Sequence, residues 1–147
     1  MLRGAPTVLL VEDNPTDMEL TLLALESGKL ANHIDVVRDG AEALEYLFRD
    51  GTYADRPVEN EPRVVLLDIK LPLINGIDVL RRLKENEETR HLPVVMLTSS
   101  AEDRDLAECY KLGANSYIVK PVDVDKFFEA MRQVGLYWLV LNRSESG

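Results

Sequence analysis

The sequence predicts an α/β fold: a doubly wound, five-stranded parallel sheet with five helices. Two patterns carry that prediction. Short, continuous apolar runs rich in β-branched residues recur along the chain, as strands buried on both faces require. Each run is followed by a segment with helical apolar spacing, so strands and helices alternate and the crossovers are right-handed. A third observation says where such a sheet would work: four of the five runs stop at a chemically capable polar residue.

Thr7 to Val11 is the first strand, and it ends in Glu12-Asp13. Asn14 suits a helix cap and Pro15 a first helical turn. That helix runs to about Lys29, with Leu20, Leu23 and Ala24 expected inward and Leu22 and Leu25 off the stripe. Ile34 to Val37 is the second strand. Asp39-Gly40 turns the chain into a helix over Ala41 to Phe48, with Ala43, Leu44 and Leu47 inward. Arg49 to Pro62 is polar and broken by Gly51, Pro57 and Pro62. It is expected to be a long surface loop, a tolerated insertion entering the next strand at its amino end.

Val64 to Leu67 is the third strand, and Asp68 sits where it stops. Pro72 and Asn75-Gly76 punctuate a loop before a helix from about Ile77 to Asn86. Pro93 to Leu97 is the fourth strand, ending in Thr98-Ser99-Ser100. Asp103 to Leu112 is a helix closed by Gly113. Asn115 to Val119 is the fifth strand, ending in Lys120-Pro121. A long last helix starts at about Asp123, with Phe127, Ala130, Met131, Val134, Trp138 and Leu141 forming the stripe that packs on the sheet. Phe128, Leu136, Leu139 and Val140 project elsewhere. Their apolar patch favours a homodimer of two-fold symmetry over a bend at Gly135 that folds the end back.

The 147 residues suit a single domain over residues 1–147, with a core of about 6–141 and a short polar tail. At 46% hydrophobic and 29% charged, the chain reads as an ordinary soluble protein, and its formal net charge of −9 argues against nucleic acid. One cysteine, Cys109, excludes a disulfide framework, and His33 and His91 lack metal-ligand spacing. No signal peptide or membrane-length run is present, so the expected location is cytoplasmic.

Parallel strands bring their carboxyl ends to one edge, the ligand-binding edge of open α/β sheets. Glu12, Asp13, Asp68, Thr98 and Lys120 should therefore converge there. Three adjacent carboxylates repel and need a cation, and oxygen-only ligands suit Mg²⁺. A carboxylate beside a metal can attack phosphorus and form an acyl phosphate. The Lys120 ammonium and the Thr98 hydroxyl would then compensate the phosphoryl oxygens.

With its Val-Glu12-Asp13-Asn14, Asp68-Ile-Lys-Leu-Pro72-Leu-Ile-Asn-Gly76, Thr98-Ser-Ser, Gly113-Ala114 and Tyr117-Ile-Val-Lys120-Pro121 motifs, the chain resembles the receiver domains of two-component response regulators over essentially its whole length. The resemblance implies that Asp68 is the phosphoacceptor, served by a sensor histidine kinase. It implies that Glu12, Asp13, Asp68 and the Lys70 backbone carbonyl hold Mg²⁺. Lys120 would pair with the phosphoryl group, before a cis bond to Pro121, while Thr98 and Tyr117 would form the switch. Such a protein is not an enzyme beyond its own phosphorylation and dephosphorylation. It signals to a downstream protein through its fourth-helix, fifth-strand, fifth-helix face. Leu71 departs from a common Met, and Lys70 places a positive side chain where smaller or polar ones are frequent. The Arg38-Asp-Gly-Ala-Glu-Ala-Leu-Glu-Tyr-Leu segment, the long loop, Pro121-Val-Asp and Tyr137-Trp138 are similar to single-domain regulators paired with phytochromes. An intermediate phosphate carrier in a phosphorelay is the alternative role. A flavodoxin-type cofactor binder shares the expected strand order, 2-1-3-4-5. It would place a Ser/Thr/Gly-rich phosphate loop where Glu12-Asp13 stand, however. A haloacid-type phosphatase would have an Asp where Lys70 stands.

Overall fold

A computed structural model describes residues 8–31, 33–99, 104–137 and 140. Its elements run β1 (Val8–Val11), α1 (Pro15–Ser27), β2 (Ile34–Val37), α2 (Gly40–Phe48), β3 (Val64–Asp68), α3 (Gly76–Glu85), β4 (Val94–Thr98), α4 (Arg104–Leu112), β5 (Ser116–Val119) and α5 (Val124–Gln133). Short 3₁₀ turns lie at Gly51–Tyr53 and Val58–Asn60. The sheet is parallel throughout, in the order β2-β1-β3-β4-β5. Thr7, Ser100, Asp103, Trp138, Leu139, Leu141 and the tail at 144–147, all named above, lie outside the described residues.

The unbroken apolar runs follow from burial on both sides. Alternate strand residues point to opposite faces. Leu9, Val11, Val65, Leu67, Val94 and Met96 pack under α2, α3 and α4 with Ala43, Leu80 and Leu83. Val8, Leu10, Val64, Leu66, Val95 and Leu97 pack under α1 and α5 with Leu25, Phe127 and Met131. Each fully buried Leu or Val contributes roughly 1.5–3 kcal/mol of transfer free energy, so both layers are needed to hold the sheet.

Helix α1 turns a different face to the sheet from the one its sequence suggests. Thr21 and Leu25 are buried, and Met18, Leu22 and Ala24 pack against the core. Leu20 and Leu23 are 41% and 60% exposed. Four leucines lie so close together that either phase buries an apolar stripe. Contact with β1 and α5, which periodicity does not see, selects the phase. In α2 the unforeseen core residue is Tyr46, beside Ala43 and Leu47.

The last helix is shorter than expected. Asp123 caps it through the Lys126 N–H. After Gln133 the Gly135 N–H donates to Arg132 O and the Leu136 N–H to Met131 O, at 3.2 and 2.8 Å. Gly135 has φ 79°, the left-handed conformation that ends a helix cheaply only at glycine. Beyond it the chain folds back: Val140 is buried in the same core as Phe127, and Leu136 packs partly against it. The exposed patch expected from Leu136 and Val140 is therefore not formed by them, because the glycine stop removes the helical register that would have aimed them outward.

Residues 49–62 are a built structure. The Arg56 guanidinium donates to Tyr46 O at 2.7 and 2.9 Å and to Asn60 O at 3.0 Å. It also lies over the Tyr46 ring, 4.4 Å from its centroid. Tyr53 donates its hydroxyl to Glu42 at 2.7 Å.

Candidate functional site

The strand ends meet as expected. Val11 pairs with Leu67, Asp68 with Leu97 and Thr98 with Val119, so Glu12, Asp68, Thr98 and Lys120 come to one edge. The backbone knits the rim beyond the strands: Ile69 N–H donates to Leu97 O at 3.1 Å and Lys120 N–H to Thr98 O at 2.7 Å. Gly76 explains how the loop after Asp68 closes. A Cβ there would lie 2.0 Å from Asp68 O, so only glycine allows helix α3 to start so near the strand end.

Lys120 is the hub. Its Nζ donates to Asp68 Oδ2 at 3.0 Å, to Glu12 Oε1 at 3.1 Å and to Asp17 Oδ2 at 3.0 Å. Asp68 Oδ1 accepts the Lys70 N–H at 3.2 Å, and Glu12 Oε2 accepts the Asn14 N–H at 3.2 Å. Glu12, Asp68 and Thr98 are buried, and Asp13 is half-buried. Burial pushes the Glu12 carboxyl up to about 7, with the hydrogen bond and charge of Asp68 adding to it and Lys120 opposing. Burial lowers the Lys120 ammonium, but the Asp17 hydrogen bond and the Asp68 charge outweigh that and hold it above the ordinary lysine range.

Glu12, Asp13 and Asp68 each offer an oxygen, all within 4.8 Å of one another. This all-oxygen, acidic donor set fits a hard divalent cation, and the crowding itself calls for one. A cleft of about 240 Å³ opens there, lined by Asp13, Asn14, Asp17, Asp68, Lys70, Thr98 and Lys120 among others. Lys70 also borders the adjoining cleft with Asp13 and Asp105. The Lys120–Pro121 bond is cis.

Tyr117 is not in the cleft. It is half-buried on β5, its ring edge-on to Tyr110 at 6.2 Å, and it lines a shallow groove with Ala130 and Gln133. Asp17 is the residue that sequence reasoning passed over. The signal for it was helical: it stands one turn after Asp13, in a helix whose start at Asn14-Pro15 was already evident.

A model of the response regulator receiver domain matches residues 8–132. FilR2 of Methanothrix harundinacea, described as a probable methanogenesis regulatory protein, is 38% identical over 137 residues, 93% of this chain and 86% of that protein. Response regulator Rcp1 of Synechocystis is 32% identical over 132 residues, 90% of this chain and 88% of that one. Its Mn²⁺-bound crystal structure superposes with a TM-score of 0.72, at 32% identity over 90% of this chain and 93% of that chain. The bacteriophytochrome response regulator RtBRR superposes with a TM-score of 0.85, at 50% identity over 94% of this chain and 82% of that chain.

Proposed function

The chain belongs to the response regulator receiver family, and from that premise we propose that Asp68 accepts a phosphoryl group from a sensor histidine kinase. One observation supports this most: at the shared strand edge a single ammonium, Lys120, binds both Asp68 and Glu12. Asp68 attacks phosphorus with one carboxylate oxygen. A P–O bond forms as the donor's P–N bond breaks, and the donor imidazole keeps the electron pair. Lys120 and the Thr98 hydroxyl then meet the charge on the phosphoryl oxygens. Glu12, Asp13, Asp68 and the Lys70 carbonyl would hold Mg²⁺, which when bound neutralises the carboxylates and phosphoryl oxygens. The chain's own part is to hold the nucleophile rigid, through the Lys70 N–H, against the Gly76 turn.

Phosphorylation draws Thr98 toward the phosphoryl group and lets the Tyr117 ring move inward, remodelling the α4–β5–α5 face for a downstream protein. The same face, with Tyr110 47% exposed, would carry a phosphorylation-sensitive homodimer. The likeness to RtBRR favours a phytochrome-type kinase and an output role over a relay carrier. A cytoplasmic location suits such a kinase. The family match sets aside the flavodoxin-type and haloacid-type readings.

The test is intact-mass analysis with Mg²⁺ and acetyl phosphate. Wild type should gain one phosphoryl group and Asp68→Ala none; equal uptake would refute the assignment. Light scattering with and without phosphodonor tests the pair. A Tyr110→Glu variant that dimerises like wild type would move the interface elsewhere.

A further inference from the structure

We infer that Asp17 is a positioning residue that holds Lys120 in its unphosphorylated pose and so slows phosphoryl uptake. The inference rests on the phosphoacceptor reading of Asp68. Three carboxylates share the Lys120 ammonium, and they are not equivalent. Those of Glu12 and Asp68 are 0% and 6% exposed, whereas that of Asp17 is 32% exposed. A buried carboxylate that loses its cation has no water to replace it, and the loss is severe. Asp17 sits at the mouth of the cleft and can be rehydrated, so it is the partner Lys120 can give up. When a phosphoryl group arrives on Asp68, its oxygens need that ammonium. The exchange of Asp17 for phosphoryl oxygen is then a step on the way to the transition state. Asp17 stabilises only the starting state of that exchange, and interactions stronger in the ground state than in the transition state slow a reaction.

Among the described residues, the hydrogen bond of the Asp17 carboxylate is the one to Lys120. The Asp17 backbone N–H is capped by Asn14 at 2.9 Å whatever its side chain does. Asp17→Asn keeps the shape and removes the charge, and it should raise the rate of uptake from acetyl phosphate about fivefold, the scale of one half-exposed charged hydrogen bond. Asp17→Glu, which restores the charge, should return the rate toward wild type. Glu19→Gln, an exposed change on the same helix, should leave it unaltered. The sign of the effect separates this role from a structural one, since a damaged helix start would slow uptake. The ¹⁵N shift of the Lys120 ammonium should also change in Asp17→Asn and not in Glu19→Gln. Normal wild-type uptake with an Asp17→Asn rate equal to it or slower overturns the role of Asp17 alone. Absence of uptake in wild type itself ends the phosphoacceptor reading, and this inference with it.

Discussion

Two polar clusters in this molecule solve opposite problems. Around Lys120, three carboxylates compete for one ammonium, and the most buried of them, Glu12, is pushed up to about 7. Around α2 and the segment after it, Tyr46 donates to Asp35 at 2.6 Å, Tyr53 donates to Glu42, and Arg56 donates to the Tyr46 and Asn60 carbonyls. There each donor meets its own acceptor, and the phenols hold their protons far into the alkaline range. The first cluster is acid-rich and incomplete in itself, which suits a place that receives a cation and a phosphoryl group. The second is satisfied and fastens a loop. Burial alone does not mark a working site; mismatch between charges does.

The comparison breaks most sharply at its hub. Lys120→Met leaves the carboxylates without their ammonium, and phosphoryl uptake from acetyl phosphate should fall on the order of a hundredfold, the usual loss for one donor to developing charge. Stopped-flow or intact-mass rates would show it, and a loss below threefold would contradict the hub's place. Next in size is Asp13→Ala. With one of three carboxylate donors gone, Mg²⁺ affinity should drop at least about tenfold, read by NMR titration.

The satisfied cluster should respond in stability and not in chemistry. Arg56→Ala strips two charged hydrogen bonds from the Tyr46 carbonyl, leaving it the Arg49 N–H at 3.4 Å, and removes the guanidinium from the ring, so unfolding free energy should fall by about 2 kcal/mol with uptake unchanged. Chemical denaturation beside a phosphorylation assay separates the two. A fall in uptake as large as the fall in stability would merge the clusters.

The smallest effect is with pH. Burial, followed by the hydrogen bond to Glu42, pushes the Tyr53 phenol up to about 12. The folded state thus holds that proton more tightly than the unfolded chain does. Its stabilisation is complete below the ordinary phenol value of about 10 and is lost as pH rises toward 12. Denaturation midpoints at pH 9 and pH 11 should therefore fall more in wild type than in Tyr53→Phe.

Much of this protein was decided by sequence alone. Apolar runs of strand length alternating with helical segments point to a parallel sheet, because crossover helices cover both faces of its central strands, β1, β3 and β4. The strand order is the one expected of a flavodoxin-like receiver fold, and Glu12, Asp13, Asp68, Thr98 and Lys120 converge as expected because parallel strands put their carboxyl ends on one edge. Three features were settled only by tertiary structure. The phase of α1 was one, because four crowded leucines leave periodicity degenerate and packing on α5 breaks the tie. Asp17 was another: its contact spans 103 positions in sequence, and its weight depends on how far Lys120 reaches across the cleft. The last was the fate of the chain after Gln133. Glycine permits both a helix interior and a left-handed stop, and only the core that receives Val140 chooses between them.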